Sequence, residues 1–190
     1  MMKITILFTL LIGLFSEHVH ASIYNCSSPL TLTGFKSILE KTRADYFPEI
    51  LKEHLIVTTF RSKNYFLQAQ PHKSSLLNNR ENRIYEVQLN LNMLDCPPDE
   101  EALLAILVHE LEHVLDYMNW SSGRIVSHGI KYSLDFNFKV NYERATDQKV
   151  LTKGLSEGLA LYREWVYQWL SKKQLIKKKV IYLTPEEIRN

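Results

Sequence analysis

Two histidines and a glutamate stand close together in His109-Glu110-Leu111-Glu112-His113. On a helix, residues four apart project from one face about 6 Å from each other, so the imidazoles of His109 and His113 can bind one Zn²⁺ ion. Glu110 would lie beside them, where a carboxylate can take a proton from a metal-bound water and pass it to a leaving amine. The spacing therefore predicts a zinc site with Glu110 as the general base of a hydrolase.

A catalytic zinc ion needs a third protein ligand, which this segment does not supply. In the metzincin pattern a glycine at position 116 and a histidine at position 119 would follow, but the chain has Asp116 and Asn119. Further along, Glu143 and Asp147 are again four residues apart and share one helical face. Glu143 could complete the metal site, and Asp147 could accept the outer N–H of a ligand histidine and fix its tautomer.

The same residues also permit structural interpretations. His109 and His113 could be core histidines satisfied by hydrogen bonds, and Glu143 with Asp147 could be an acidic pair on a solvated helix face. For the histidines the surrounding helix argues against this, because it is apolar nearly all round. It therefore offers nothing to offset the desolvation of two imidazoles and a carboxylate.

With these motifs in this order, the chain resembles the gluzincin zinc metallopeptidases, in which His-Glu-x-x-His is followed by a second helix bearing Glu-x-x-x-Asp. It is similar to minimal soluble relatives of the CAAX-prenyl-protease and heat-shock metallopeptidase group. The resemblance implies a zincin-like α+β fold, one zinc ion as cofactor, and a peptide or protein substrate. The implied zinc ligands are His109, His113 and Glu143. The implied general base is Glu110, and Asp147 is implied to hold a ligand histidine from behind.

The resemblance also assigns a role to the segment Ile84–Leu91, whose apolar residues alternate with polar ones. Such alternation is typical of a half-buried strand. In the resembled family the corresponding strand is an edge against which an extended peptide pairs, so we expect the same here.

A peptidase also needs a group that stabilises the negative oxygen formed at the scissile carbonyl. Several residues downstream of the motif could reach it, namely His128, Tyr132, Tyr142, Tyr162 and Arg163. We take His128, Tyr162 and Arg163 as the candidates, and the sequence does not choose among them.

Hydrophobic spacing predicts the helices that must position these residues. A helix-start signature, proline followed by acidic residues, stands at 95–101 and predicts a buried helix to about position 120. A first helix is predicted over about 33–46. A last helical region is predicted over about 142–170, broken near Gly154 or Gly158.

The remaining segments predict a small sheet and irregular connections. The β-like runs 55–60 and 65–70 are interpreted as a hairpin, and 121–140 as irregular. The end of the chain, 170–190, is interpreted as a basic tail with a solvated face. The whole predicts one α+β domain over 22–190, in which a short mixed or antiparallel sheet packs an edge strand on the motif helix.

The amino terminus predicts export. Lys3 precedes an apolar run over 4–15 that is too short to cross a bilayer, and Val19-His20-Ala21 offers a cleavage point. Residues 1–21 are therefore interpreted as a signal peptide and the protein as periplasmic or secreted, without a membrane span after cleavage. The alternative is an uncleaved amino-terminal anchor.

The chain has two cysteines, Cys26 and Cys96. In an exported chain they most simply form one disulfide. The alternative is two separate thiols, whereas a zinc site is disfavoured because neither cysteine belongs to a Cys-x-x-Cys pair.

The net charge argues against a nucleic-acid partner. The 190 residues carry 23 Lys and Arg against 21 Asp and Glu, a net charge of +2, which gives no electrostatic case for binding nucleic acid.

The leading prediction is an exported zinc-dependent metalloendopeptidase. One alternative is a non-catalytic exported domain that uses zinc for stability or partner binding. Another is a disulfide-linked adaptor without metal, whose lysine-rich end contacts a partner.

Overall fold

The computed structural model describes residues 26–190, so the predicted signal peptide lies outside the described residues. The described part is α+β, with a three-stranded mixed sheet packed among helices. The strands are β1 His54–Phe60, β2 Leu67–Pro71 and β3 Ile84–Asn90. The helices are α1 Leu32–Tyr46, α2 Leu91–Asp95, α3 Glu100–Asn119, α4 Ser122–Leu134, α5 Phe136–Thr152, α6 Ser156–Tyr167, α7 Lys172–Ile181 and α8 Pro185–Arg189.

The motif helix α3 lies at the centre of the fold, packed against β2, α1, α5 and α6. Asp99 stands at its N-cap position, and Glu100 and Glu101 occupy its first turn. Negative charge there interacts favourably with the helix dipole and stabilises the helix. The helix predicted to run to about position 120 is confirmed. Because apolar residues surround it, neighbours cover it on several sides, and His109 and His113 are buried with it.

The sheet has the strand order β1-β3-β2, with β3 parallel to β1 and antiparallel to β2. The predicted hairpin between the runs 55–60 and 65–70 is therefore wrong, because both runs pair with β3 and not with each other. The tetrapeptide at 61–64 contains no Asn-Gly or Asp-Gly pair of the kind that closes a tight hairpin. The chain instead passes across the sheet, and β3 inserts between the first two strands.

The alternation in β3 is confirmed. Tyr85, Val87 and Leu89 are fully buried in the core, and Glu86 and Gln88 share the opposite face, where the amide of Gln88 donates to Glu86 at 2.9 Å. The expected position of this strand is wrong, however, because β3 is central and paired on both sides. The sheet edge that packs on α3 belongs to β2.

Residues 121–140 were expected to be irregular, but α4 occupies most of them and α5 begins before they end. Ser121 and Asp135 cap the two helices, each accepting a hydrogen bond from a backbone N–H three residues on. Helix α4 was missed because Gly123, Gly129 and three serines favour a loop, although its apolar residues lie on one side of the helix.

The break in the last predicted helical region is at Gly154, the first of the two positions that the sequence offers. Gly154 has φ +79°, a left-handed conformation that ends α5 and favours glycine. Gly158 lies inside α6, where a Cβ would come within 2.5 Å of the carbonyl oxygen of Glu101. The second glycine therefore allows α6 to pack closely on α3.

The lysine-rich end of the chain forms α7 and α8. Both helices begin with a capping box, Ser171 with Gln174 and Thr184 with Glu187. Leu183, between the two helices, is buried in the core. The end of the chain is therefore part of the domain, although most of its lysines are exposed, as expected of a solvated face.

Cys26 and Cys96 form the predicted disulfide. It joins the start of the described chain to the residue that follows α2. Across residues 26–190, none of the helices combines the length and the apolar character needed to cross a membrane.

Candidate metal centre

Three of the predicted site residues meet at a buried point between α3 and α5. Nε2 of His109 lies 3.2 Å from Nε2 of His113 and 3.2 Å from Oε2 of Glu143. Nε2 of His113 lies 3.5 Å from the same carboxylate oxygen. The helical spacing brings the histidines together, and the packing of α5 on α3 adds the carboxylate. His109, His113 and Glu143 thus form a buried group that could hold a metal ion.

Asp147 lies behind His109, where the sequence predicts it. Its Oδ1 is 2.9 Å from Nδ1 of His109 and accepts a hydrogen bond from the guanidinium of Arg163 at 2.6 Å. Its Oδ2 accepts from the backbone N–H of Leu183 at 2.9 Å. Asp147 is 0% exposed. With both oxygens engaged, this carboxylate holds the ring of His109 in a fixed orientation.

A different chain of groups lies behind His113. Its Nδ1 is 3.0 Å from the hydroxyl of Tyr142, which donates to Asp116 at 3.0 Å. Asp116 also accepts a hydrogen bond from Lys149 at 3.1 Å. Asp116 is the residue that breaks the metzincin pattern, and its part in the site was not foreseen from the sequence.

These partners determine which nitrogen of each ring carries the proton. A carboxylate only accepts, so Asp147 favours a proton on Nδ1 of His109. The hydroxyl of Tyr142 gives its one proton to Asp116, so it must accept from Nδ1 of His113. Both Nε2 atoms are then left with lone pairs directed at the point where the Glu143 oxygen also lies. Three acceptors at 3.2 to 3.5 Å repel one another unless a cation lies among them.

The distances also match the size of a tetrahedral ion. Ligand atoms about 2.0–2.1 Å from a four-coordinate ion lie about 3.3 Å from one another. The three observed separations, 3.2, 3.2 and 3.5 Å, agree with that value. A proton shared between His109 and Glu143 would satisfy only one of the three separations, whereas a metal ion would satisfy all of them.

The electrostatics of the centre favour positive charge. Burial lowers the pKa of His109, but hydrogen bonds with Asp147 and Glu143 outweigh it and raise that pKa to about 9. Burial raises the pKa of Glu143, but the hydrogen bonds with both histidines hold it well below its usual range. Three buried carboxyl groups lie near one buried guanidinium, so the centre favours a cation, which is either the extra proton on His109 or a metal ion in its place. These carboxylates belong to Glu110, Glu143 and Asp147, and the guanidinium to Arg163.

Glu110 points from α3 toward strand β2 rather than into the ligand triangle. Its carboxylate lies near the backbone N–H of Ala69, which favours the charged form. Burial raises the pKa of this carboxyl group, and the nearby His109 and His113 oppose the rise. Glu110 also lines a cleft of about 780 Å³ that opens onto the two histidines.

Two of the three oxyanion candidates lie on α6, beyond the break at Gly154. The guanidinium of Arg163 binds Asp147 and lies over the ring of Tyr182, 4.4 Å from its centroid. It therefore holds the group behind His109, but it also lines the cleft, and its Nε has no hydrogen-bond partner among the described residues. Tyr162 is buried and lines the cleft.

The third candidate, His128, lies on α4 among aromatic rings. Its ring is 4.3 Å from that of Tyr142 and 4.7 Å from that of Trp120. Burial lowers the pKa of His128, and its Nε2 has no hydrogen-bond partner in the described part of the chain. Nearby, Tyr132 donates its hydroxyl to the second oxygen of Glu143.

Other residues around the cleft were not identified from the sequence as parts of a site. Lys178 and Tyr182 come from α7 and the turn after it, and Lys139 comes from the first turn of α5. The four-residue spacing of Lys178 and Tyr182 indicates only that both lie on the same face of a helix. Without the packing of α7 against α5, nothing connects that face with a motif that lies about 65 residues earlier in the chain.

The chain matches no protein-family model, no curated protein and no solved structure.

Proposed function

We propose that the protein is an exported zinc-dependent metalloendopeptidase. The observation that carries the proposal is the convergence of His109, His113 and Glu143 around one buried point, beside an acidic residue and an open cleft. Three protein ligands are the number typical of catalytic zinc, whereas structural zinc usually has four. The disulfide Cys26–Cys96 favours an oxidising compartment and so supports export.

Zinc is the ion that this donor set suits best. Two imidazole nitrogens and one carboxylate oxygen are the ligands of many zinc hydrolases, whereas calcium and magnesium prefer oxygen ligands throughout. When bound, zinc would supply a Lewis acid and lower the pKa of a bound water to about 7. His109, His113 and Glu143 would hold it, and Asp147 and Tyr142 would keep the two imidazoles in the required tautomer.

Glu110 is the proposed general base. It follows a ligand on α3 and lines the cleft, so a water beside the metal and a peptide in the cleft are both within the space it faces. Its carboxylate would take the proton of the attacking water and give it to the leaving nitrogen.

Strand β2 offers a place for the substrate backbone. His72, next to β2, donates to Ile84 at 2.8 Å, and such bonded pairs alternate along antiparallel strands. The backbone groups of Leu67 and Ala69 therefore point away from β3, toward the open edge, and both residues line the cleft. An extended peptide could add to this edge and run past Glu110. The resemblance predicts that the segment Ile84–Leu91 pairs with the substrate. Because that segment is the central strand, we assign substrate pairing to β2 instead.

One observation favours the alternative of a non-catalytic, zinc-stabilised binding domain. Arg163 is engaged with Asp147, and His128 is packed among aromatic rings, so two of the three oxyanion candidates have structural surroundings. Under this alternative the protein binds zinc and loses stability on chelation, but it does not cleave peptides.

The test combines metal content with peptide cleavage. The purified protein should contain about one zinc ion per chain, and Glu143→Ala should contain markedly less. Glu110→Gln should keep zinc and fold but cleave a labelled unfolded protein at least about a hundredfold more slowly, the usual scale for loss of a general base. Glu112→Gln is the matched control, because Glu112 lies on the same helix but pairs with Lys149 and Lys153.

The outcomes distinguish the peptidase from the non-catalytic binding domain. Full cleavage by Glu110→Gln would contradict the role of Glu110 as general base. Zinc in the wild type without cleavage of any unfolded protein would favour the binding domain. A folded wild-type chain that binds no zinc would remove both.

A further inference from the structure

Two lysines line the same cleft as the metal centre. Lys178 of α7 and Lys139 of α5 are both half-buried. The ammonium group of Lys178 lies 4.9 Å from the ring centroid of Tyr65 and 4.6 Å from that of Tyr182. The ammonium group of Lys139 lies 4.2 Å from the ring centroid of Tyr132. Both charges are thus held against aromatic faces within the cleft.

Neither lysine forms a close ion pair with a carboxylate of residues 26–190. No carboxylate in the part of the chain that the structure describes lies within 4.0 Å of either ammonium group. Other cations near the centre differ in this respect, because Lys149 binds Asp116 and Arg163 binds Asp147. Half-buried cations without a hydrogen-bonded counter-ion are unfavourable, so an anion bound between them would be stabilised.

The two lysines are also close enough to affect each other. Burial, together with the positive charges of Arg163 and Lys139, lowers the pKa of Lys178 to about 8, against the opposing effects of Glu143 and Glu110. Burial also lowers the pKa of Lys139, and Glu143 opposes this too. Once Glu143 is a metal ligand, its charge is shared with the ion, and both lysines are left with a greater need for an anion.

We propose that Lys178 and Lys139 form a subsite that binds a carboxylate of the peptide substrate. The inference rests on the proposed function, to which it adds a substrate class. A carboxylate has two oxygens and can accept a hydrogen bond from each ammonium group. It comes either from a Glu or Asp side chain close to the scissile bond or from the free carboxyl terminus of a short peptide. The neighbouring rings of Tyr65, Tyr132 and Tyr182 would cover the methylene groups of the same residue.

Binding can be measured separately from cleavage. Zinc-loaded Glu110→Gln protein is titrated into three short labelled peptides by fluorescence anisotropy. The first has one central Glu and an amidated end, the second has Gln in its place and an amidated end, and the third has Gln and a free carboxyl terminus. We expect an acidic peptide to bind about tenfold more tightly than the neutral one, the effect of one charged hydrogen bond. Which acidic peptide is preferred identifies the source of the carboxylate.

Variants at positions 178 and 139 then test whether the preference for acidic peptides arises from these two lysines. Lys178→Met and Lys139→Met should each reduce the preference to less than about threefold, because one ammonium group is lost. Lys178→Arg should retain it. Lys173→Met is the matched control, since Lys173 lies on α7 but is exposed and outside the cleft. Zinc content and thermal unfolding of each variant show whether a loss arises from the subsite or from the fold. The variant at position 139 keeps the test valid if the one at position 178 does not fold.

Equal binding of acidic and neutral peptides overturns the subsite, as does a preference that survives in both methionine variants. Failure of the subsite differs from failure of the proposed function. Cleavage without a preference for acidic peptides removes only the subsite. A preference without cleavage by the wild type removes the peptidase and leaves a binding site for acidic peptides.

Discussion

The two histidines of the candidate metal centre occupy equivalent positions on one helix, yet their surroundings differ. Behind His109 lies an ionic pair of Asp147 and Arg163, both buried and both from elements other than α3. Behind His113 lies the neutral hydroxyl of Tyr142, whose own partner Asp116 has a side chain 21% exposed. The group behind His109 depends on α5, α6 and the turn before α8. The group behind His113 is completed by Asp116, three positions further along α3.

The difference indicates which half of the site depends on the domain being folded. Asp147 contacts Arg163 of α6 and Leu183 of the turn before α8, so the orientation of His109 is coupled to the carboxy-terminal third of the chain. The orientation of His113 relies on Tyr142 and on charges that water can screen. We therefore expect substitutions behind His109 to affect both stability and metal binding, and those behind His113 to affect mainly metal binding.

The largest effect is expected from Asp147→Asn. Asparagine can still accept from Leu183, but it leaves the guanidinium of Arg163 buried without a counter-charge, which costs about 3–5 kcal/mol. Urea unfolding in the presence of EDTA measures this loss without the contribution of metal. Zinc affinity, measured by competition with a chromophoric chelator, should fall about tenfold to a hundredfold.

The control for this variant is Glu157→Gln on the same helix as Arg163. Glu157 pairs with Arg189 at the surface, so its replacement should leave the urea midpoint unchanged. An Asp147→Asn protein as stable as the wild type would show that the buried pair does not join the carboxy-terminal helices to the site.

A smaller effect is expected from Tyr142→Phe. The ring remains to pack against His113 at 5.1 Å, but the group that fixes the tautomer is removed. Zinc affinity should fall about tenfold, while the free energy of unfolding in EDTA changes by about 1 kcal/mol or less. Tyr46→Phe makes the same chemical change at the end of α1, outside the cleft, and should alter neither quantity. A loss of stability equal to that of Asp147→Asn would contradict the comparison.

The smallest effect is expected from Asp116→Asn. The amide oxygen can still accept from Tyr142, and the ion pair that is lost joins Asp116 to the partly exposed Lys149. Zinc affinity should fall by about threefold or less, since the residue acts on His113 through an intermediate hydroxyl. Raising the salt concentration should reduce the difference from the wild type, because screening weakens in the wild type the ion pair that the variant lacks. A larger loss than that of Tyr142→Phe would show that Asp116 acts on the metal site directly.

Much of the centre was predictable because its parts are local. The spacing of His109 with His113 and of Glu143 with Asp147 follows from the helical period, and each pair needed only a helix to share a face. The disulfide was predictable because there are only two cysteines to pair. The strand alternation in β3 was also correct, since it depends on neighbours two residues apart.

The errors concern partners that are distant in the chain. The β1 and β2 runs were joined into a hairpin because they are adjacent in sequence, but a central strand is recognised only by what pairs with it on both sides. Helix α4 was missed because Gly123 and Gly129 favour a loop, although the segment is amphipathic. The end of the chain was interpreted as a solvated tail, although Leu183 and Ile188 pack in the core.

By itself, the sequence determined which residues could bind a metal and which helices present them, because helix geometry relates side chains over a single turn. The tertiary structure decided that Glu143 reaches the two histidines, that β2 is the edge beside Glu110, and that Lys178 returns to the cleft. Those placements depend on how helices pack and strands pair across long stretches of chain. Hydrophobic burial drives such packing but is not directional, so no local pattern specifies which distant surfaces meet.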